Sequence, residues 1–199
     1  IRYDLFFNCT VGTWSSPFWF KFADSIWRQD GDWDKVGNQG DSREKWITYR
    51  DYMVYKNFPI ASPICPINSL MTHGLMVTKY GPPSEMPRND SDATAKGIIR
   101  EMHCAFGCGS GLIELYVDND LMSTIGNDGE LWAALAECIK WHRENEDVLA
   151  DAHWVGGNPW DGYKANVYGW ASWNGQKATL TLRNPSATSK TFSTTLREA

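Results

Sequence analysis

Hydrophobic and polar positions along the chain follow two regimes, and the change falls near Ala152. Before it, short apolar runs trade places with longer stretches at helical spacing. Tyr3 to Cys9 (YDLFFNC) has the aromatic density of a short buried strand and runs into polar Thr10. Phe18 to Ala23 (FWFKFA) reads as a second strand, followed at once by Asp24, Ser25, Trp27 and Arg28. A polar, glycine-rich loop through Gly40 carries Asp30, Asp32, Trp33 and Asp34 and is a candidate lid or rim. From Asp41 to Tyr55, residues Trp46, Tyr49 and Met53 recur at helical spacing while Glu44, Arg50 and Asp51 fall on other faces, which predicts a helix. Prolines 59, 63 and 66 end it, and Ile67 to Met71 is another short apolar piece ending near His73-Gly74. Residues 93–106 predict a helix that stops near Gly107. Gly111 to Val117 (GLIELYV) predicts a buried strand that empties into Asp118, Asn119 and Asp120. Asn127 with Glu130 three residues later is a capping-box signature, and Leu131, Leu135, Cys138, Ile139 and His142 then share one helical stripe.

After Ala152 the period falls to two. Val167 to Trp173, Ala178 to Leu182 and Thr191 to Leu196 alternate, separated by Asn174-Gly175 and by Asn184-Pro185-Ser186. These runs predict a small antiparallel sheet.

The strand and helix alternation of the first two-thirds is the pattern of β/α units in a parallel sheet or barrel, whose sites gather in the loops after the strand carboxyl ends. The polar groups expected there are Asn8, Cys9 and Thr10; Asp24, Ser25 and Arg28; Asn68 and His73; and Glu114, Asp118 and Asp120. A carboxylate that follows an aromatic strand beside Trp27 is partly desolvated, which raises its pKa and suits Asp24 to protonate a leaving oxygen. Capping the next turn or pairing with Arg28 is the plain structural alternative.

Composition narrows the partners. With 19 Lys and Arg against 24 Asp and Glu the formal net charge is −5, the wrong sign for holding a nucleic-acid backbone. No apolar run reaches the roughly 18–20 residues that cross a bilayer, and Ile1-Arg2-Tyr3-Asp4 does not read as a signal peptide, so no membrane partner is expected. Eleven Trp, 8 Tyr and 8 Phe serve either as core and inter-element packing or as platforms, and indole faces bordered by Asn, Asp and Arg suit the C–H face and hydroxyl edge of a pyranose. The 5 cysteines are odd in number and irregular in spacing, which argues against a disulfide framework. His103-Cys104 with Cys108 lacks a second ligand pair at a zinc-like spacing, so neither a metal nor another cofactor is expected.

Asn8-Cys9-Thr10 after an aromatic run, Phe22-Ala23-Asp24, Asn68-Ser69-Leu70-Met71-Thr72-His73-Gly74, Phe106-Gly107 and Gly111-Leu112-Ile113-Glu114-Leu115 occur in this order. That series resembles the α-galactosidase/melibiase-like superfamily of glycoside hydrolases, including the bacterial barrel proteins described as enterotoxin-like α-glycosidases. The resemblance covers nearly the whole chain. It implies the α/β class: the C-terminal half of a (β/α)8 barrel, about four β/α units over residues 1–155, followed by an antiparallel, β-sandwich-like domain over residues 156–199. It implies a retaining hydrolase acting on a pyranoside, with Asp24 as general acid/base and with Asn8, Cys9, Thr10, Trp14, Trp27, Arg28 and His73 lining the sugar pocket. An extracellular or periplasmic location goes with the family. Two departures bear on galactose specificity: the superfamily carries an Arg four positions before its acid, where this chain has Phe20, and the Gly-rich run after the cysteine holds Val11 and Trp14.

Retaining hydrolysis needs a second carboxylate about 5–5.5 Å from the acid. In the superfamily it comes from an earlier barrel strand, so the nucleophile is expected from outside this segment, with Glu114 and Asp118 as substitutes. A complete barrel typically takes about 250 residues, and a half-barrel leaves two strand edges open. The expected partners are therefore an oligosaccharide or glycoside and either a second copy or a second chain that completes the barrel. Two other classes fit the same residues: a non-catalytic carbohydrate-binding protein, and a structural fragment whose aromatics serve assembly.

Overall fold

The computed structural model describes residues 4–10, 14–31, 36–37, 40–78, 93–161 and 165–195. It is a mixed α/β structure with two sheets. Four parallel strands, β1 (Asn8–Cys9), β2 (Ser25–Trp27), β3 (Leu70–Val77) and β4 (Leu112–Val117), lie in chain order in a curled, half-barrel-like sheet. Three antiparallel strands, β5 (Ala152–Gly156), β6 (Tyr168–Trp173) and β7 (Ala178–Arg183), form the other.

The helices begin where local chemistry caps them. Helix α1 (Ser42–Tyr55) starts as the Asp41 side chain accepts from the Glu44 N–H at 2.9 Å, and α2 (Ala95–Gly107) as Thr94 accepts from the Gly97 N–H at 3.1 Å. The short α3 (Asn119–Thr124) is capped by Asp118. Before α4 (Glu130–Glu144), the Asn127 N–H and side-chain amide both donate to Glu130 Oε2, at 2.9 and 3.2 Å. The short α5 (Glu146–Leu149) leads into β5.

One face of the parallel sheet is covered by helices. There Leu75 and Val77 pack against Ile98, Met102, Leu121 and Leu131, whereas Met76 between them belongs to a separate cluster with Trp46, Ile47 and Cys104. The antiparallel sheet packs against the start of β3 and the end of α1: Tyr168 and Trp170 join Ile26, Val54, Phe58 and Leu70 in one cluster. Buried polar groups clasp that junction. The Tyr168 hydroxyl donates to Asp51 Oδ2 at 2.6 Å, and Arg183 donates to Tyr168 (2.6 Å), to Thr48 (2.8 Å) and to Glu44 (2.9 Å). Between α1 and α2, the fully buried pair Arg43 and Glu101 reaches the β3 backbone, donating to the Met76 carbonyl and accepting from the Met76 N–H.

Four sequence expectations change. Residues 18–23 are not a strand: Pro17–Lys21 is a 3-10 turn whose Ser16 side chain accepts from the Phe18 N–H, and the strand is Ser25–Trp27. The first strand narrows to Asn8–Cys9. Strand β3 does not end near His73 but runs through it to Val77. Finally, the third strand of the antiparallel sheet is Ala152–Gly156, ahead of the others, whereas the described residues from Thr191 to Thr195 form no strand.

All 5 cysteines are free thiols. Burial pushes the Cys104 thiol up to about 12 and Cys108 up to about 11. Both stay protonated at neutral pH, where the thiolate is the reactive form. In the native protein at pH 8, dithionitrobenzoate is expected to label half-buried Cys9 first and to reach Cys104 and Cys108 only after unfolding. Rapid native labelling of either would contradict this burial.

Candidate functional site

In a parallel sheet the carboxyl ends of the strands share one edge, and here that edge begins with the residues after β2. Gln29 and Asp30 have φ of 75 and 62 degrees, consecutive left-handed conformations in residues other than glycine. Each such residue carries a strain of order 1–3 kcal/mol, which persists only where the surroundings fix it. The surroundings here are specific. Arg28, fully buried at the end of β2, donates to the carbonyls of Gln29 (3.0 Å) and Gly31 (2.8 Å). Its guanidinium lies over the rings of Trp27 (4.4 Å) and Tyr49 (5.5 Å). The Trp27 indole N–H donates to the Asp30 carbonyl at 3.0 Å, and the Tyr49 hydroxyl donates to the Gly31 carbonyl at 3.2 Å. Arg28 thus works as a post around which the turn is wound.

Asp30 is held in turn by Asn57 Nδ2 at 2.7 Å and Lys56 Nζ at 3.2 Å. Its partial burial would raise the carboxyl pKa, but those hydrogen bonds and the charges of Lys56 and Arg28 outweigh it and hold the group below its usual value. Asp30 is therefore an ionised acceptor at neutral pH, not a proton donor.

A second set of groups occupies the face of the sheet turned away from α2. Gly74 marks the helix side, because a Cβ there would lie 1.9 Å from Ile113 Cγ2 and 3.3 Å from Ala105 Cβ. His73 points the other way, by the alternation of a strand. Its ring meets Trp27 (centroids 4.6 Å apart) and Tyr116 (4.9 Å), and its Nε2 lies 3.4 Å from Glu114 Oε2. The Tyr116 hydroxyl donates to the same oxygen at 3.0 Å. His73 faces Glu114 in the β3–β4 register, so the row Trp27, His73, Glu114 and Tyr116 follows from strand pairing. His73 is buried, whereas Glu114 and Tyr116 are 31% and 41% exposed, so the row ends in groups that a ligand can reach.

The structure thus brings Trp27, Arg28 and His73 together and adds Glu114. Thr10 lies exposed just after β1. Asn8 accepts from Ser25 at 2.6 Å inside the β1–β2 pair, and half-buried Cys9 packs on the cluster around Ile26. Trp14 is elsewhere, exposed and edge-on to Trp19 of the 3-10 turn at 5.3 Å. Asp118 and Asp120 are engaged at the start of α3. Trp33 and Asp32 lie outside the described residues.

The position of Asp24 differs from the expected one. It precedes β2 instead of following a strand, which puts it at the amino edge of the sheet. There its Oδ2 accepts from the Phe7 N–H at 2.7 Å and its own N–H donates to the Phe7 carbonyl at 2.8 Å. It is exposed instead of being enclosed beside Trp27. The residues missed in the sequence are Tyr49, Asn57 and Tyr116. Tyr116 was findable, since two residues after Glu114 on a strand is the same face.

Among the described residues no three His, Cys, Asp or Glu side chains converge as a metal site. No family model, curated protein or solved structure matches the chain.

Proposed function

We propose that the chain is the carboxyl-terminal part of a retaining glycoside hydrolase barrel that binds a pyranoside at the carboxyl edge and helix-free face of its parallel sheet. The observation that carries this reading is the Arg28 post with its two left-handed residues, Gln29 and Asp30: a strained, over-determined turn at the end of a parallel strand, where such folds place their sites. The turn leads into Asp32, and Arg28 stands four positions before it. That is the spacing the superfamily resemblance asks of its acid, whereas four positions before Asp24 the chain has Phe20. In this reading Asp32 is the proton donor, Arg28 fixes the described turn that precedes it in the sequence, and Trp27, His73, Glu114 and Tyr116 provide an aromatic and hydroxyl-binding wall. The nucleophile comes from a strand outside this chain. Four parallel strands in sequential order are half of an eight-stranded barrel, and a second chain or a second copy beside β1 and β4 would supply the rest.

The test is to offer the assembled barrel p-nitrophenyl α-D-glycopyranosides and to identify by proton NMR the anomer released first. The α anomer is expected, and release of the β anomer would sink the retaining mechanism. A second reading draws on the engagement of both mapped carboxylates, Asp30 with Lys56 and Asn57, and Glu114 with Tyr116 and His73. They form a binding surface without a free acid, as a non-catalytic carbohydrate-binding protein would have. Saturable binding of the same glycosides with no release by the assembled barrel would select that reading.

A further inference from the structure

We propose that the cleft between α2, α4 and β7 is a second saccharide site, which holds a pyranose ring of an oligosaccharide against Trp141. The cleft has a volume of about 430 Å³, and His103, Phe106, Glu137, Trp141, Leu180 and Thr181 contribute to its walls. That size lies in the range of small-ligand sites. It is far from the carboxyl edge. Helix α2 connects two parallel neighbours, β3 and β4, so it runs back along the sheet and its last turn reaches the amino edge. A ring bound there cannot touch Arg28 or Asp30.

The cleft is a built feature of the fold. A Cβ on Gly107 would lie 2.5 Å from Thr181 Cγ2, so only glycine lets α2 and β7 close together at its base. Phe106 is fixed edge-on to His142, with centroids 6.1 Å apart. Trp141 keeps 36% of its surface open, and Glu137 lies one helical turn before it on the same face of α4. His103 is exposed on the facing helix. An indole face bordered by a carboxylate and an imidazole matches a ring with C–H groups on one side and hydroxyls around its edge. A purely apolar ligand would strip water from Glu137 and His103 without replacing its hydrogen bonds, and a phosphate would meet the charge of Glu137.

The choice of a sugar as ligand rests on the glycoside reading above, whereas the location of the cleft is independent of it. The experiment titrates the full chain with methyl α-D-galactopyranoside, methyl α-D-glucopyranoside and maltotriose. It follows the indole N–H resonance of Trp141, identified by its loss in Trp141→Ala. At least one sugar is expected to shift that resonance saturably, and Glu137→Gln, which retains the indole, is expected to weaken the binding by about tenfold, the scale of one well-placed contact. Arg28→Met should leave this binding unchanged. If no sugar shifts the Trp141 signal, or if Glu137→Gln leaves the affinity as it was, the inference is overturned. Binding that depends on Arg28 alone overturns it while sparing the carboxyl-edge site. Binding that depends on Glu137 and Trp141, with no second binding step that Arg28→Met removes, supports it and counts against the carboxyl-edge site.

Discussion

On the proposed glycoside hydrolase reading, Asp32→Asn is expected to lower hydrolysis by about 10²–10⁴-fold, the usual contribution of a positioned general acid. Asp24→Asn is expected to leave it unchanged. The contrast follows from the sheet. Asp24 sits before β2 and is occupied with the Phe7 N–H, at the end of the strands away from Arg28. Asp32 comes after β2, beyond a turn that five described groups hold: Arg28, Trp27, Tyr49, Lys56 and Asn57. The loss in Asp32→Asn should be smaller for p-nitrophenyl glycosides, whose leaving group needs little protonation, than for alkyl glycosides. Equal losses on the two substrates would remove the proton-donor role, and a fall in Asp24→Asn matching that in Asp32→Asn would return the site to the amino edge.

Arg43→Met is expected to cost about 3–5 kcal/mol of stability in urea denaturation, because it leaves a fully buried carboxylate without its cation. Burial pushes the Glu101 carboxyl above its ordinary value, while Arg43 and Arg50 pull it back in part. Without Arg43 the upward push dominates. A carboxyl whose folded pKa is raised favours the folded state at low pH and opposes it above the raised pKa, so the deficit should shrink as pH falls from neutrality toward 4.5. Arg43→Met with Glu101→Leu should recover much of the loss. The Met76 N–H would still lack its acceptor, at a cost of about 1–3 kcal/mol. A deficit independent of pH would mean that lost packing of the Arg43 stem, not an unpaired carboxylate, causes it.

The elements with several turns or a full alternation were legible. Helix α1 announced itself through the spacing of Trp46, Tyr49 and Met53, and the β6–β7 hairpin through Asn174-Gly175 between alternating runs. Strand β2 was not legible, because three residues carry no period. The aromatic run ahead of it has the composition of a strand, although Ser16-Pro17 signals a capped turn. Strand β3 was cut short because Gly74 and the register shift beside it interrupt the alternation. That error hid the facing of His73 and Glu114. Moving a strand by a few residues exchanges the two edges of the sheet for whatever lies beside it, which is why Asp24 lies at the amino edge.

The clasp of Asp51, Tyr168 and Arg183 has a bearing on where this chain can be divided. The change of hydrophobic period near Ala152 marks a border in the pattern, yet Asp51 of α1 finds its hydroxyl donor on β6 and Glu44 finds a guanidinium on β7. A protein shortened before Ala152 would keep every helix of the first sheet and strand polar groups that evolved to meet a neighbour. For anyone grafting or circularly permuting the parallel-sheet portion, the antiparallel strands have to travel with it.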